Sequence, residues 1–169
     1  SNSNSKVILY SLGVIYYLNE QIDESITAMR RLIEIDPNNA DALNFVGYTY
    51  AERGENLDEA EFLIKKALTL SPNKGYILDS LGWVYYKKGK YDEAIELLNK
   101  AAELQPDDPA IMEHLGDVYF DKGEFPKALE YYERGVYLVD QDVENNDPKL
   151  KERLYKKTND LKINISAQN

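Results

Sequence analysis

Across residues 75–108 the chain reads GYILDSLGWVYYKKGKYDEAIELLNKAAELQPDD, and its apolar positions fall into two short runs at helical spacing. Leu78, Leu81, Gly82, Val84 and Tyr85 share one side of a helix predicted over 76–88. Gly89 ends that helix, because glycine accepts the left-handed backbone found just past a helix C-terminus. Ala94, Ile95, Leu98, Ala101, Ala102 and Leu104 line a second helix predicted over 92–105. Pro106 closes the unit, since proline cannot continue a helix. Gly82 and Ala94 are small, which lets the two helices approach closely, while Tyr85 and Leu98 are large enough to fill the space beside that contact. Ala101 is small again, where the next unit must pack.

The unit recurs. Gly13, Gly47, Gly82 and Gly116 are spaced 34, 35 and 34 residues apart, and Tyr16, Tyr50, Tyr85 and Tyr119 keep the same steps. Pro37, Pro72 and Pro106 are separated by 35 and 34 residues. Four helix pairs are therefore predicted over 6–140, with units at 6–39, 40–74, 75–108 and 109–140. The order L-G-x-x-Y, then G-x-Y-x-x-A, then A-x-x-x-x-P is carried by Leu81, Gly82, Tyr85, Gly89, Tyr91, Ala94, Ala101 and Pro106. It resembles the tetratricopeptide repeat. The resemblance implies an all-α fold, a right-handed α-solenoid of four helix-turn-helix units in which each contacts mainly its neighbours.

The departures from the pattern are informative. Ser25 and Leu32 stand where later units have alanine, so a wider contact is expected between units 1 and 2. The interval from Gly54 to Ala60 is one residue longer than that from Gly89 to Ala94. The extra residue is placed in the turn near Asn56, where a loop absorbs it cheaply. Pro126 falls in a first helical turn, where its missing N–H is harmless. Gly135 replaces the late alanine of unit 4, which suggests close packing by whatever follows. With no proline to close it, that helix is expected to reach Asp140. Residues 141–146 read as a polar loop, after which Asp147-Pro148 supplies an N-cap and a favoured first helical residue. A capping helix is predicted over 147–162, its leucines covering apolar surface around Tyr131 and Leu138 and its basic face solvated. Residues 163–169 are expected to fray, and residues 1–5 (SNSNS) to form a disordered lead-in or a tag remnant. No polar cap precedes unit 1, which leaves two readings open: further repeats before it in a longer protein, or a natural start.

Composition narrows the function. A formal charge of −10 argues against nucleic acid and favours neutral-to-basic partners with apolar anchors. The absence of cysteine excludes disulfides and thiolate metal sites. No run is long and apolar enough for a membrane span, and no signal segment opens the chain. The run LDSLGWVYY, residues 78–86, resembles bacterial tetratricopeptide proteins, some of them lipid-anchored envelope adaptors. That resemblance implies a prokaryotic source and leaves cytoplasm and envelope both open.

In the tetratricopeptide family the first helix of each pair lines a concave groove. The resemblance assigns to that groove Tyr10, Val14 and Tyr17, then Asn44 and Tyr48, with Phe45 beside them. It adds Tyr76, Asp79, Trp83 and Tyr86, then Glu113, Asp117 and Phe120, with His114 beside them. An exposed aromatic stripe rimmed by carboxylates suits a peptide, and Trp83, the only tryptophan, is expected to anchor it without supporting the fold. The competing reading packs Tyr17, Tyr48, Trp83 and Tyr86 between adjacent first helices. One subtype clamps acidic chaperone tails with lysine, asparagine and arginine. Neither frame of three consecutive first helices, Tyr10, Val14, Phe45, Tyr76 and Ser80 or Asn44, Tyr48, Ser80, Ala110 and His114, supplies the cations. His114, the sole histidine, lies near Glu113 and Asp117, a weak signal for acid–base or metal chemistry against a groove or solvated residue. The function expected is a non-enzymatic protein-interaction scaffold with no cofactor and no metal. The alternative is a homo-oligomer stacking through unit 1.

Overall fold

A computed structural model describes residues 2–141 and 147–167 of the chain. Among these residues there are nine helices and no strand. They are α1 (Asn2–Leu18), α2 (Ile22–Ile35), α3 (Ala40–Arg53), α4 (Leu57–Leu70), α5 (Gly75–Lys87), α6 (Tyr91–Leu104), α7 (Pro109–Asp121), α8 (Phe125–Gln141) and α9 (Pro148–Ala167). Each of α1, α3, α5 and α7 packs most extensively on the helix that follows it, successive pairs stack and α9 packs on α8, so the array is an all-α solenoid of four helix pairs and a terminal helix.

The small residues of the motif stand where the helices cross. A methyl group on Gly82 would lie 2.8 Å from Leu98 Cγ, so Leu98 occupies the space the missing side chain leaves. At Gly116 the occupant is the Tyr132 ring. Ala60, Ala94 and Ala128 are fully buried at the matching places of α4, α6 and α8. In unit 1 the serine is satisfied: Ser25 Oγ donates to the Gly13 carbonyl at 2.7 Å from a fully buried position. Gly54, Gly89 and Gly123 take positive φ at the turns, as does Asn56, where the extra residue of unit 2 was expected.

The apolar interior is continuous along the stack. Met29, Leu32, Leu43, Val46, Ile64, Ile77 and Val84 fill its first half. Leu98, Ile111, Met112, Leu115, Val118 and Tyr132 fill the second, which Leu150, Leu154 and Leu161 of α9 complete. The expectation for Gly135 is met: Leu154 lies over it, 2.7 Å from where a Cβ would stand. The surface α9 covers centres on Gly135 and Val139, with Tyr131 and Leu138 partly buried in the same cluster. Asp147 caps α9, accepting from Lys149 N at 2.9 Å and Leu150 N at 3.2 Å.

Two boundary expectations are corrected. Residues 163–167 continue α9, because Ile165 still packs on the core cluster beyond Leu161. The expected lead-in is helical from Asn2, since SNSNS carries no helix breaker and runs directly into the apolar turns of α1. The polar loop expected at 141–146 lies, apart from Gln141, outside the described residues, as do residues 168 and 169.

Candidate functional site: the concave groove

The groove is built from α1, α3, α5 and α7, and one repeat position organises it. Asn44, Asp79 and Glu113 each stand three residues before the glycine of their helix, so the repeat carries them to equivalent places. All three are buried, with 8%, 8% and 3% of their surface exposed. Polar groups at such depth need partners, and the three differ in what meets them.

Glu113 is held by α9. Arg153 donates through Nε to Oε1 at 3.1 Å and through Nη2 to Oε2 at 3.0 Å, a two-armed fit of guanidinium to carboxylate. Lys157 Nζ adds a bond to Glu113 Oε1 at 2.8 Å and two to Asp117, at 2.7 and 2.8 Å. Burial alone would raise the Glu113 carboxyl pKa, but the bonds from Arg153 and Lys157 outweigh it and hold the group below its ordinary value. The basic face of α9 was expected to be solvated. Lys149, Arg153, Lys156 and Lys162 are exposed as expected, but Arg153 and the half-buried Lys157 also neutralise the carboxylates of α7.

Asp79 is met by histidine. His114 Nδ1 lies 2.8 Å from Asp79 Oδ1, and the imidazole is buried, 6% exposed, with the Trp83 ring stacked on it at a centroid distance of 4.1 Å. Burial pulls the imidazole pKa down. The charge and hydrogen bond of Asp79, then Asp117 and Glu113, outweigh that and raise it above its ordinary value. His114 is thus neither solvated nor free. Among the described residues no group of three His, Cys, Asp or Glu side chains could hold a metal ion.

Asn44 has met nothing: its buried Oδ1 has no hydrogen-bond partner, and neither does the buried Nε1 of Trp83. Asn44 lines a cavity of about 310 Å³ together with Tyr10, Asp41, Phe45, Tyr48, Tyr76, Asp79, Ser80, Asp108, Ala110 and His114. No lysine or arginine contributes to its wall. A second cavity of about 450 Å³, bounded by Tyr86, Asp117, Phe120, Asp121 and Tyr132, is closed on one side by Lys157, Asp160, Leu161 and Asn164 of α9.

The aromatic residues are less exposed than expected. Trp83 is 9% exposed and belongs to the core cluster, so it supports the fold; the expectation of a fold-neutral anchor is withdrawn. Its ring fills the space between α5 and α7, which a helix-by-helix pattern does not reveal. Tyr17, Tyr48, Tyr76 and Tyr86 are half-buried, as are Val14 and Asp117, whereas Tyr10 and Phe120 are exposed. The hydroxyls tie neighbouring first helices together: Tyr17 donates to Glu52, Tyr76 to Asp41, and Tyr86 to Asp121 at 2.7 Å. Tyr17 packs edge-on against Phe45 at 5.5 Å. Arg153 and Lys157 were absent from the expected site; their i, i+4 spacing on one face of α9 was the signal available.

No helix among the described residues is long and apolar enough to cross a membrane. A comparison with curated proteins finds no match. Solved structures similar in fold include an O-GlcNAc transferase mutant from Thermobaculum terrenum (TM-score 0.71, 24% identity over 79% of this chain), of which this chain spans 27%. PilF of Pseudomonas aeruginosa gives a TM-score of 0.69 at 24% identity, over 95% of this chain and 74% of the other. The MamA protein gives 0.62 at 23% identity, over 94% and 91%. Family models described as tetratricopeptide repeat match residues 7–39 and, in a second model, 40–74 and 110–138, and a model described as TPR repeat matches 82–123. With these matches running over the four observed helix pairs, the chain belongs to the tetratricopeptide-repeat family.

Proposed function

We propose that the chain is a non-enzymatic adaptor whose concave groove holds a segment of a partner protein, neutral-to-basic and carrying apolar anchors. Tetratricopeptide-repeat proteins are in general protein-interaction scaffolds, so the reading refines where and what this one binds. The observation that carries it is the cavity along α1, α3, α5 and α7, walled by aromatic rings and carboxylates without a lysine or arginine, His114 being taken up by Asp79. Aromatic rings offer large area at little rotamer cost, and carboxylates that outnumber the cations around the cavity favour a positively charged occupant. The groove has already accepted such side chains where α9 supplies them. A peptide-display selection on the whole chain tests this. Enriched peptides should be basic with aliphatic or aromatic anchors and should lose binding when Tyr48 is changed to Ala. Enrichment indifferent to groove substitutions would defeat the reading.

A second reading rests on α1, which leaves Val7, Ile8, Ile15 and Leu18 exposed along its length. Clustered apolar side chains of this kind mark association surfaces, and stacking of copies through unit 1 would cover them. Sedimentation across a wide concentration range tests it: a concentration-dependent mass abolished by Ile8→Glu supports stacking, and a constant monomer mass removes it.

A further inference from the structure

Of the three equivalent residues Asn44, Asp79 and Glu113, two have a nitrogen donor and one has none. Glu113 receives a guanidinium on both arms and Asp79 an imidazole. Asn44, in the wall of the open cavity, keeps a buried acceptor unpaired. Such an acceptor costs stability until a donor reaches it. A half-turn of the amide exchanges its oxygen and nitrogen, turning the acceptor toward a bound donor and placing the N–H2 in the buried position.

The cavity specifies the donor further. Asp41, Asp79 and Asp108 place three carboxylates around it. Asp41 accepts from the Tyr76 hydroxyl, Asp79 is paired with His114 Nδ1, and Asp108 accepts from the Ala110 and Ile111 amides at the start of α7; a carboxylate has room for more. Burial leaves the Asp108 carboxyl pKa raised, the condition of an anion short of positive charge. Tyr10, Phe45 and Tyr48 supply rings on which a flat cation can lie. An ammonium brings charge and three donors on a compact point, without a plane that matches carboxylates and rings together. A guanidinium satisfies charge, offers five N–H donors in a plane and stacks on rings.

We propose that this cavity is a subsite for one arginine side chain of the partner segment. The proposal rests on the groove reading above and adds to it the residue that the segment must carry. Arg153 on Glu113 is the chain's own version of the same contact at the equivalent position of unit 4.

The test is an NMR titration of the isotope-labelled whole chain with N-acetyl-arginine amide, its lysine counterpart and its neutral isostere, the citrulline amide. The arginine compound should shift the amides of Asn44, Tyr48, Tyr76 and Ala110 saturably, with the lysine compound weaker. Citrulline should bind about tenfold more weakly or worse, the loss expected from one charge-assisted contact. Asp41→Asn and Asn44→Leu should each reduce arginine binding without lowering the melting temperature, since Asp41 is exposed and Asn44 makes no bond that is lost. Equal binding of arginine, lysine and citrulline overturns the subsite. So does the absence of a saturable shift, or a shift confined to Arg153, Lys157 and Glu113, which would mean that the probe merely competes with α9. Display-selected peptides separate the two levels. Binders lost in Tyr48→Ala but indifferent to replacing arginine by citrulline leave the groove reading standing and remove the subsite. Failure to find any groove-dependent binder removes both.

Discussion

The two halves of the groove are built from the same repeat and differ in what has reached them. In the half formed by α7 and α9, Glu113 and Asp117 are matched by Arg153 and Lys157. In the half formed by α1, α3 and α5, Asp41 and Asn44 line a cavity to which no lysine or arginine contributes. The repeat fixes where a side chain points; the neighbouring element fixes whether it is satisfied. The contrast between Glu113, met by two cations, and Asn44, whose buried oxygen is met by none, is the sharpest instance in this chain.

Trp83 stands where the halves meet, stacked on His114 of α7 while belonging to the core cluster of the earlier units. Trp83→Ala should be the most damaging single change, costing about 3–5 kcal/mol, as large-to-small core substitutions do. Chemical denaturation measures it. A loss near zero would mean that the halves are not joined through this ring.

The direct comparison is Glu113→Leu against Asn44→Leu. Glu113→Leu takes the shared acceptor from Arg153 and Lys157 and should cost about 1–3 kcal/mol, with Lys157 retaining Asp117 and Arg153 turning to water. Asn44→Leu removes a buried group that has no hydrogen bond and should change stability by no more than about 0.5 kcal/mol, in either direction. Equal losses from the two variants would show that Asn44 is satisfied in solution and would erase the difference between the halves.

Much of this was legible beforehand. Glycine, tyrosine and proline recurring at 34 or 35 residues carried the helix pairs, and the long interval after Gly54 carried the turn at Asn56. Gly135 announced the close approach of Leu154. The repeat also named Asn44, Asp79, Trp83 and Glu113 as one surface, because equivalent residues point alike. It did not show depth. Whether Trp83 lies on the groove or inside it depends on the distance between α5 and α7, to which the periodicity of a single helix is blind. Nor did it show the pairing of α9 with α7, which joins residues 40 apart through an element outside the repeat.

The buried pair between the halves gives a pH signature. The imidazole of His114 faces Asp79 of α5, Glu113 and Asp117 of its own helix, Tyr48 of α3 and the Trp83 ring. Its pKa is raised in the folded chain, so the fold gains from the protonated form. That gain is complete below the ordinary histidine value of about 6.5 and is lost as pH rises through the higher folded value. Wild type minus His114→Gln stability, measured by denaturation at several pH values, should therefore be largest on the acid side and fall as pH rises. A difference that is flat or grows with pH would contradict a charged imidazole bound to Asp79.

The smallest effect should come from the longest reach. Lys149 in the first turn of α9 donates to Glu20, just past the end of α1, at 2.9 Å, linking residues 129 apart. Both side chains are largely exposed, and such a pair is screened by salt and costs side-chain entropy to hold. The position of α9 is set instead by Leu154 over Gly135, by Leu161 in the core, and by the two cations on Glu113 and Asp117. Lys149→Ala should leave the melting temperature unchanged at physiological salt, with at most a small fall at low salt. It should leave peptide binding unchanged as well, because neither Lys149 nor Glu20 lines the open cavity. A clear drop in melting temperature at physiological salt would mean that α1 and α9 hold each other in place. In that case the open half of the groove would be gated by the closed one, and substitutions in α9 would have to be counted among those that alter binding at Asn44.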